Sequence, residues 1–206
     1  SPGSLGNKAF FQRLYGDHPY AKPPSGTVES VERLTRKDVA SFHRRYYVAR
    51  NAVVAIVGAV TRAQAEHLAE QVVGRLPAGD AAPTLPAVAM LESPFSQHIE
   101  HPSTQTHILL GQPGMSRDDP DYLPLYIGNH ILGGSGLTSR ISEEIREKRG
   151  LSYSAYSYFT PMAAKGPYLL SLQTKTRSRD EALNVLRATL NRFIARGPTE
   201  SELSAS

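Results

Sequence analysis

Three stretches of the chain carry apolar residues at intervals of three and four, at about 35–46, 61–76 and 178–196. This period places the apolar side chains on one face of a helix and the polar ones on the other. Thr35, Thr61 and Ser178 open the three stretches, and each is followed three residues later by Asp, Gln or Glu. That spacing is typical of a capping box at a helix start. We therefore predict three amphipathic helices that begin after these residues.

Shorter apolar runs indicate strands. Ala52–Val60 is a continuous apolar run, rich in valine, and predicts a buried strand. Alternating or β-branched runs predict four more strands, at about 97–101, 106–112, 153–160 and 168–175. A helix is expected from Asp119, with Pro120 at its first position, to about Leu132. We expect residues 1–27 to be irregular apart from the tail of a helix at 9–15, because prolines interrupt them.

The region between Pro77 and Pro94 differs from its neighbours. It reads PAGDAAPTLPAVAMLESP, contains four prolines and has little periodicity. This composition is typical of a linker between two folded parts.

One stretch, Leu132–Phe159, combines a glycine-rich turn, a short charged helix and a strand. Gly150 is expected to end the helix, because glycine adopts a left-handed backbone at little cost. Arg146 then falls in the last helical turn, and Tyr153 falls on the strand. A guanidinium and a phenol on neighbouring elements could hold a peptide backbone. The alternative is structural, since Arg146 also suits a helix C-terminus and Tyr153 suits a strand.

Composition narrows the classes of function. The 206 residues are 40% apolar and 20% charged, as in ordinary globular proteins, and no apolar run reaches the length of a membrane span. The net charge of +4 comes from dispersed basic residues, so we expect no specific nucleic-acid binding. The absence of cysteine excludes disulfides and does not separate the cytoplasm from the periplasm. Of these two locations, the periplasm is slightly favoured.

The histidines do not form a convincing metal site. His67 begins the sequence HLAEQ, which imitates H-x-x-E-H but ends in glutamine, and one histidine cannot hold zinc. His98 and Glu100 share a strand face, whereas His101 points the other way. The GGSG turn fits neither a nucleophile elbow nor a phosphate-binding loop. We therefore expect no metal ligands and no catalytic residues in this chain.

The order of several motifs resembles the pitrilysin/insulinase family of zinc peptidases, which includes the mitochondrial processing peptidase. The matching blocks are DHPYAKPPSGT from Asp17, LTRKDVASFHRRYY from Leu34, NAVVAIVGAV from Asn51, GQPGMSRDDPDY from Gly111, ILGGSGLTSRISEEIREKRGLSYSAYSYF from Ile131 and GPTESEL from Gly197. One departure is Gly58–Ala59–Val60, where family members usually have Gly-Asp-Val.

The resemblance implies an α+β fold of the processing-peptidase (LuxS/MPP-like) type, with helices packed on a mostly antiparallel or mixed sheet. It implies parts of two repeated domains: residues 1–80 as the end of the first, 81–96 as a linker and 97–206 as the start of the second. In the family the zinc motif lies early in the first domain, and this chain is expected to begin after that point. Zinc is therefore expected in a partner or an upstream domain, with none bound here.

The resemblance also assigns substrate-binding residues. Family members supply an Arg and a Tyr that hold the substrate backbone, and these positions match Arg146 and Tyr153. Gly133, Gly134 and Gly136 match a glycine-rich loop that helps to admit substrate in a non-catalytic subunit, although the loop is short here.

The resulting hypothesis is a non-catalytic region that binds extended peptide and completes the active site of a zinc-bearing homologous domain or subunit, with a dimer expected. Two alternatives remain open: the downstream part of an active zinc endopeptidase, and a purely structural assembly module.

Overall fold

The computed structural model describes residues 1–206. The α-helices are α1 (Pro2–Tyr15), α2 (Val28–Glu32), α3 (Arg36–Tyr46), α4 (Arg62–Val73), α5 (Tyr122–Asn129), α6 (Arg140–Ser142), α7 (Arg179–Arg196) and α8 (Glu200–Ala205). The strands are β1 (Gln105–Pro113), β2 (Ala155–Phe159) and β3 (Pro167–Lys175). Two π-helical turns, His130–Gly134 and Glu143–Glu147, extend α5 and α6.

The three strands form one antiparallel sheet in the order β1-β3-β2. Leu170 in the central strand lies opposite Leu110 of β1 and Ser157 of β2. Helices pack against this sheet, so the predicted α+β class is confirmed, and the strands predicted at 106–112, 153–160 and 168–175 are present with slightly different ends.

The main core lies between the sheet and the helices α6 and α7. Its buried members are apolar side chains of the central and edge strands, the π-turns and α7: Leu132, Ile141, Ile145, Ala155, Leu170, Leu172, Ala182 and Leu186. Burial of a Leu or Ile side chain contributes about 1.5–3 kcal/mol each. This core fixes the segment 140–147 relative to β2.

The chain divides into two compact units, one comprising Ser1–Pro23 with Leu85–Ser206 and the other Pro24–Thr84. Helix α1 joins the first unit because its glycines Gly3 and Gly6 lie against His107 and Leu109 of β1. The boundaries predicted from sequence, 1–80, 81–96 and 97–206, refer to repeated domains of a longer protein and stay a prediction.

An aromatic cluster at the end of α1 holds the turn between β2 and β3. The Tyr15 hydroxyl donates to the carbonyl of Lys165 at 3.3 Å, and the Tyr20 hydroxyl accepts the backbone N–H of Ala164 at 3.1 Å. Burial raises the pKa of Tyr15 well above its ordinary value, with a smaller effect from Tyr20. Two hydrogen bonds from this cluster therefore anchor the turn between β2 and β3.

Four sequence predictions are wrong for this structure. The helix predicted at 9–15 starts at Pro2, after the cap Ser1, so residues 2–8 are helical where irregular chain was expected. Neither 52–60 nor 97–101 forms a strand, because no partner strand lies beside them. Helix α5 starts at Tyr122, since Asp119 accepts the N–H of Asp121 in a preceding turn.

Candidate functional site

Arg146 lies in the π-helical turn Glu143–Glu147, as the sequence predicted for a helix end. The turn is fixed by Ile145, whose side chain is fully buried in the core. The Arg146 side chain is 34% exposed, and its Nε is 3.5 Å from a Glu147 carboxylate oxygen. Because Glu147 is itself 57% exposed, this ion pair is weak, and the guanidinium keeps donors available for another acceptor.

Gly150 reverses the chain after this turn. Its φ is +60°, and its backbone N–H donates to the carbonyl of Arg146 at 2.9 Å, while the N–H of Leu151 donates to Ile145 at 2.9 Å. These two bonds satisfy carbonyls at the helix end in the manner of a glycine C-cap. The predicted role of Gly150 as a helix stop is confirmed.

Tyr153 follows this reversal and projects into solvent. Ser152 anchors the backbone, because its buried hydroxyl donates to the carbonyl of Gln173 at 2.7 Å and accepts the N–H of Ser154 at 3.2 Å. The Tyr153 side chain is 92% exposed, and β2 begins two residues later, at Ala155. Tyr153 therefore lies just before the strand rather than on it, on an anchored backbone.

Two further tyrosines continue along β2. Tyr156 and Tyr158 alternate with the buried Ala155 and Ser157, so both rings lie on the opposite face of the strand. Their ring centroids are 5.8 Å apart, and each side chain is about two-fifths exposed. Burial, with a smaller effect from Tyr156, raises the pKa of Tyr158. The chain thus presents Tyr153, Tyr156 and Tyr158 in succession.

A cavity of about 330 Å³ lies between β2 and the segment that leads out of α5. It is lined by Tyr126, Asn129, His130, Gly133 and Gly134 on one side and by Tyr156, Ser157, Tyr158 and Phe159 on the other. Two of the predicted site residues, Gly133 and Gly134, are therefore brought together with the strand that follows Tyr153. Arg146, Tyr153 and Gly136 do not line this cavity.

Packing explains why Gly133 is a glycine. A Cβ at this position would lie 2.6 Å from the backbone nitrogen of Ser157 and would also overlap its hydroxyl. The same contact is reinforced by Asn129, whose Nδ2 donates to the carbonyl of Ser157 at 3.0 Å and whose Oδ1 accepts the Ser157 hydroxyl at 2.7 Å. Gly136 has open space around it but a φ of +65°, which favours glycine for backbone reasons.

Sequence reasoning missed Tyr126, Asn129 and His130, which the cavity brings together. The available signal was their spacing, since residues at i, i+3 and i+4 share one helix face. The same spacing carries the ligands and the glutamate of an H-x-x-E-H zinc motif, but only His130 has a metal-binding side chain. The chain contains no group of three His, Cys, Asp or Glu residues that could hold a metal ion. The residues present therefore do not fit zinc.

A second cavity, of about 350 Å³, is lined mostly by charged side chains, several of which form ion pairs. Arg140 Nε and Nη2 each donate to a Glu202 carboxylate oxygen at 2.6 Å. This ion pair joins α6 to α8. Glu144 accepts from Lys148 and Arg149 at 2.8 Å each, and these hydrogen bonds, that of Lys148 foremost, lower its pKa to about 2. These ion pairs hold the helices together.

Comparison with known proteins gives a consistent result. Residues 33–206 match the model of the peptidase M16 inactive domain. An uncharacterized zinc protease of Streptomyces coelicolor is 30% identical over 98% of this chain and 45% of its own length. A second uncharacterized zinc protease, from Mycobacterium leprae, is 34% identical over 94% of this chain and 44% of its own length. The chain thus spans a little less than half the length of these curated relatives.

Solved structures agree. The crystal structure of a peptidase M16 inactive domain from Pseudomonas fluorescens is 41% identical, with a TM-score of 0.94 over all of this chain and 50% of that one. A protease from Helicobacter pylori shares the fold, with a TM-score of 0.79 at 22% identity over 96% of this chain and 49% of that one.

None of the helices combines the length and apolar character needed to cross a membrane. The chain belongs to the peptidase M16 family, the pitrilysin/insulinase zinc peptidases, and carries its inactive domain.

Proposed function

We propose that this chain holds an extended peptide for cleavage elsewhere and does not cleave it. The observation that carries the proposal is the pair Arg146 and Tyr153, which lie on either side of the Gly150 reversal. Both stand on backbone fixed by buried neighbours, while one side chain is one-third exposed and the other almost fully exposed. Side chains that stand on a fixed backbone and keep donors available are suited to bind a ligand, because little backbone freedom is lost on binding.

The chemistry of the two groups suits a peptide backbone. The Arg146 guanidinium offers several N–H donors to peptide carbonyls, and the Tyr153 hydroxyl can donate or accept. A hydrogen bond from a charged donor contributes about 1.5–3 kcal/mol. The neighbouring aromatic strand and the cavity beside Gly133 and Gly134 add room for a side chain of the peptide. We include these two glycines and Gly136 in the proposed peptide-binding site, where their backbone would lie beside the peptide.

Cleavage then requires a zinc-bearing domain or subunit. The relatives are named zinc proteases and are more than twice as long as this chain, whereas the histidines and acids here do not fit a metal. In such a site zinc lowers the pKa of bound water and polarises the scissile carbonyl. The contribution of this chain is to bind and orient the substrate backbone, and we expect the active form to be a pair of homologous domains or subunits.

The test is peptide turnover by the complete protein, or by the complex with its zinc-bearing partner. We expect Arg146→Ala to lower kcat/KM about 10- to 100-fold, the loss of one charge-assisted hydrogen bond, with zinc content and melting temperature unchanged. Arg177→Ala is the control, because it removes an exposed arginine of this chain that lies outside the proposed site. Equal kinetics for both variants and the parent protein would show that Arg146 has no role in substrate binding.

A further inference from the structure

Thr174 is a buried polar residue on the core face of the sheet. Leu170, Leu172 and Thr174 occupy alternate positions of β3, so their side chains share one face of the strand. The two leucines belong to the main core, and Thr174 is as buried as Leu172. Valine has nearly the same shape as threonine and would fill this position without burying a polar group, so the hydroxyl needs a reason of its own.

The hydroxyl of Thr174 holds the segment that carries Tyr153. Its Oγ1 donates to the carbonyl of Leu151 at 2.6 Å. The N–H of the same Leu151 donates to the carbonyl of Ile145 at 2.9 Å, in the π-turn that carries Arg146. The backbone of Leu151 is therefore hydrogen-bonded to β3 through its carbonyl and to the π-turn through its N–H.

Residues 151–154 lie outside the paired part of the sheet, because the pairing of β2 with β3 begins at Ala155. The hydrogen bonds that join this segment to β3 come from side-chain hydroxyls instead. The second hydroxyl is that of Ser152, which is buried and donates to the carbonyl of Gln173 at 2.7 Å. Two buried hydroxyls thus take the place of backbone pairing on either side of the exposed Tyr153.

We infer that Thr174 and Ser152 are positioning residues of the proposed peptide site, which hold the backbone of Tyr153 in place relative to Arg146. The inference rests on the proposed function. Both hydroxyls are buried and hydrogen-bonded within the chain, so they act through Tyr153 and do not contact the peptide. Binding groups need to be held to within about 0.5 Å of their productive position, so the loss of either hydroxyl is expected to weaken peptide binding.

The test is the binding of a labelled, unstructured peptide to the complete protein, measured by anisotropy with a chelator present. Thr174→Val removes the hydroxyl and keeps the shape, and we expect it to raise Kd about tenfold, whereas Thr174→Ser keeps the hydroxyl and stays within about twofold of the parent. Thr189→Val is the matched control: Thr189 is equally buried, but its hydroxyl donates to the carbonyl of Val185 within α7 at 2.8 Å, so we expect Kd to stay unchanged. An unchanged Kd for Thr174→Val would overturn the inference.

A double-mutant cycle separates positioning from a general loss of stability. In a Tyr153→Ala protein the side chain to be positioned is absent, so we expect Thr174→Val to change Kd there by less than about twofold. The same factor with and without Tyr153 would overturn the inference. If Thr174→Val does not fold, Ser152→Ala is taken through the same cycle, with the same expected result.

The cycle also distinguishes this inference from the proposed function. A Tyr153→Ala protein that binds peptide as the parent does would overturn the proposed function and the inference with it. Weakened binding by Tyr153→Ala together with unchanged binding by Thr174→Val would overturn the inference alone.

Discussion

At the scale of single residues, Gly133 and Tyr153 have different physical reasons for being where they are. Gly133 lies so close to the backbone of Ser157 that no side chain fits, and this packing alone is sufficient to require glycine. Tyr153 has no such explanation, because a phenol that is 92% exposed contributes little to the core. An exposed aromatic residue on an anchored backbone is the stronger indication of a ligand contact.

The packing role of Gly133 gives a stability prediction. We expect Gly133→Ala to lower the free energy of unfolding by about 1–3 kcal/mol, because the new Cβ forces β2 and the π-turn apart. Gly128→Ala is the control: its Cβ would meet only Phe193 at 3.9 Å, an ordinary contact, so we expect no loss. Urea unfolding followed by circular dichroism measures both. A Gly133→Ala protein as stable as Gly128→Ala would contradict the close approach.

At the scale of elements, the starts and ends of helices could be predicted from the sequence, whereas the pairing of strands could not. The capping boxes at Thr35 and Thr61 and the helix stop at Gly150 depend on residues within one turn of each other, and the structure has all three. The run 52–60 has the composition of a strand, but a strand forms only with a partner distant in sequence. The same limit explains why the cavity between α5 and β2 could not be predicted, since it depends on how the helix packs across the sheet.

The ion-pair network around Glu144, between the second π-turn and α7, gives a prediction of how stability depends on pH. The Glu144 carboxylate accepts hydrogen bonds from Lys148 and Arg149 and lies 3.4 Å from Arg192 of α7. Its pKa falls from 4.5 to about 2 in the folded protein. A folded-state pKa below the unfolded value means that ionised Glu144 stabilises the fold above about pH 4.5. That contribution is lost as the pH falls towards 2.

We therefore expect Glu144→Gln to lower the free energy of unfolding at pH 7 by about 1.5–3 kcal/mol, with the difference from the parent shrinking as the pH approaches 2. Glu143→Gln is the control, because Glu143 contacts the same lysine at 2.9 Å but is 55% exposed, and such pairs contribute less than about 1 kcal/mol. Denaturant unfolding between pH 7 and pH 2 measures both. If the free energy of unfolding of the two variants depended on pH in the same way, Glu144 would have no special role in stability.

At the scale of the whole molecule, the chain is a family member that lacks the ligands of the family's metal. Its metal-binding residue types are scattered: His98, for example, contacts Glu100 and Arg179 and belongs to no group of three residues that could hold a metal ion. The half-buried Arg146 and the exposed Tyr153 remain available, and a cavity lies beside β2, the strand that follows Tyr153. This distribution is what we expect if, as proposed, this chain holds the peptide and another part of the protein activates water.

The most direct measurement of this central claim is equilibrium binding of a fluorescently labelled, unstructured peptide to the complete protein, followed by anisotropy with a chelator present to prevent cleavage. We predict that Arg146→Ala and Tyr153→Ala each raise Kd by about tenfold or more, whereas Arg177→Ala leaves it unchanged. A protein that binds no peptide, or one in which all three variants bind as the parent does, would contradict the claim and favour a purely structural role in assembly.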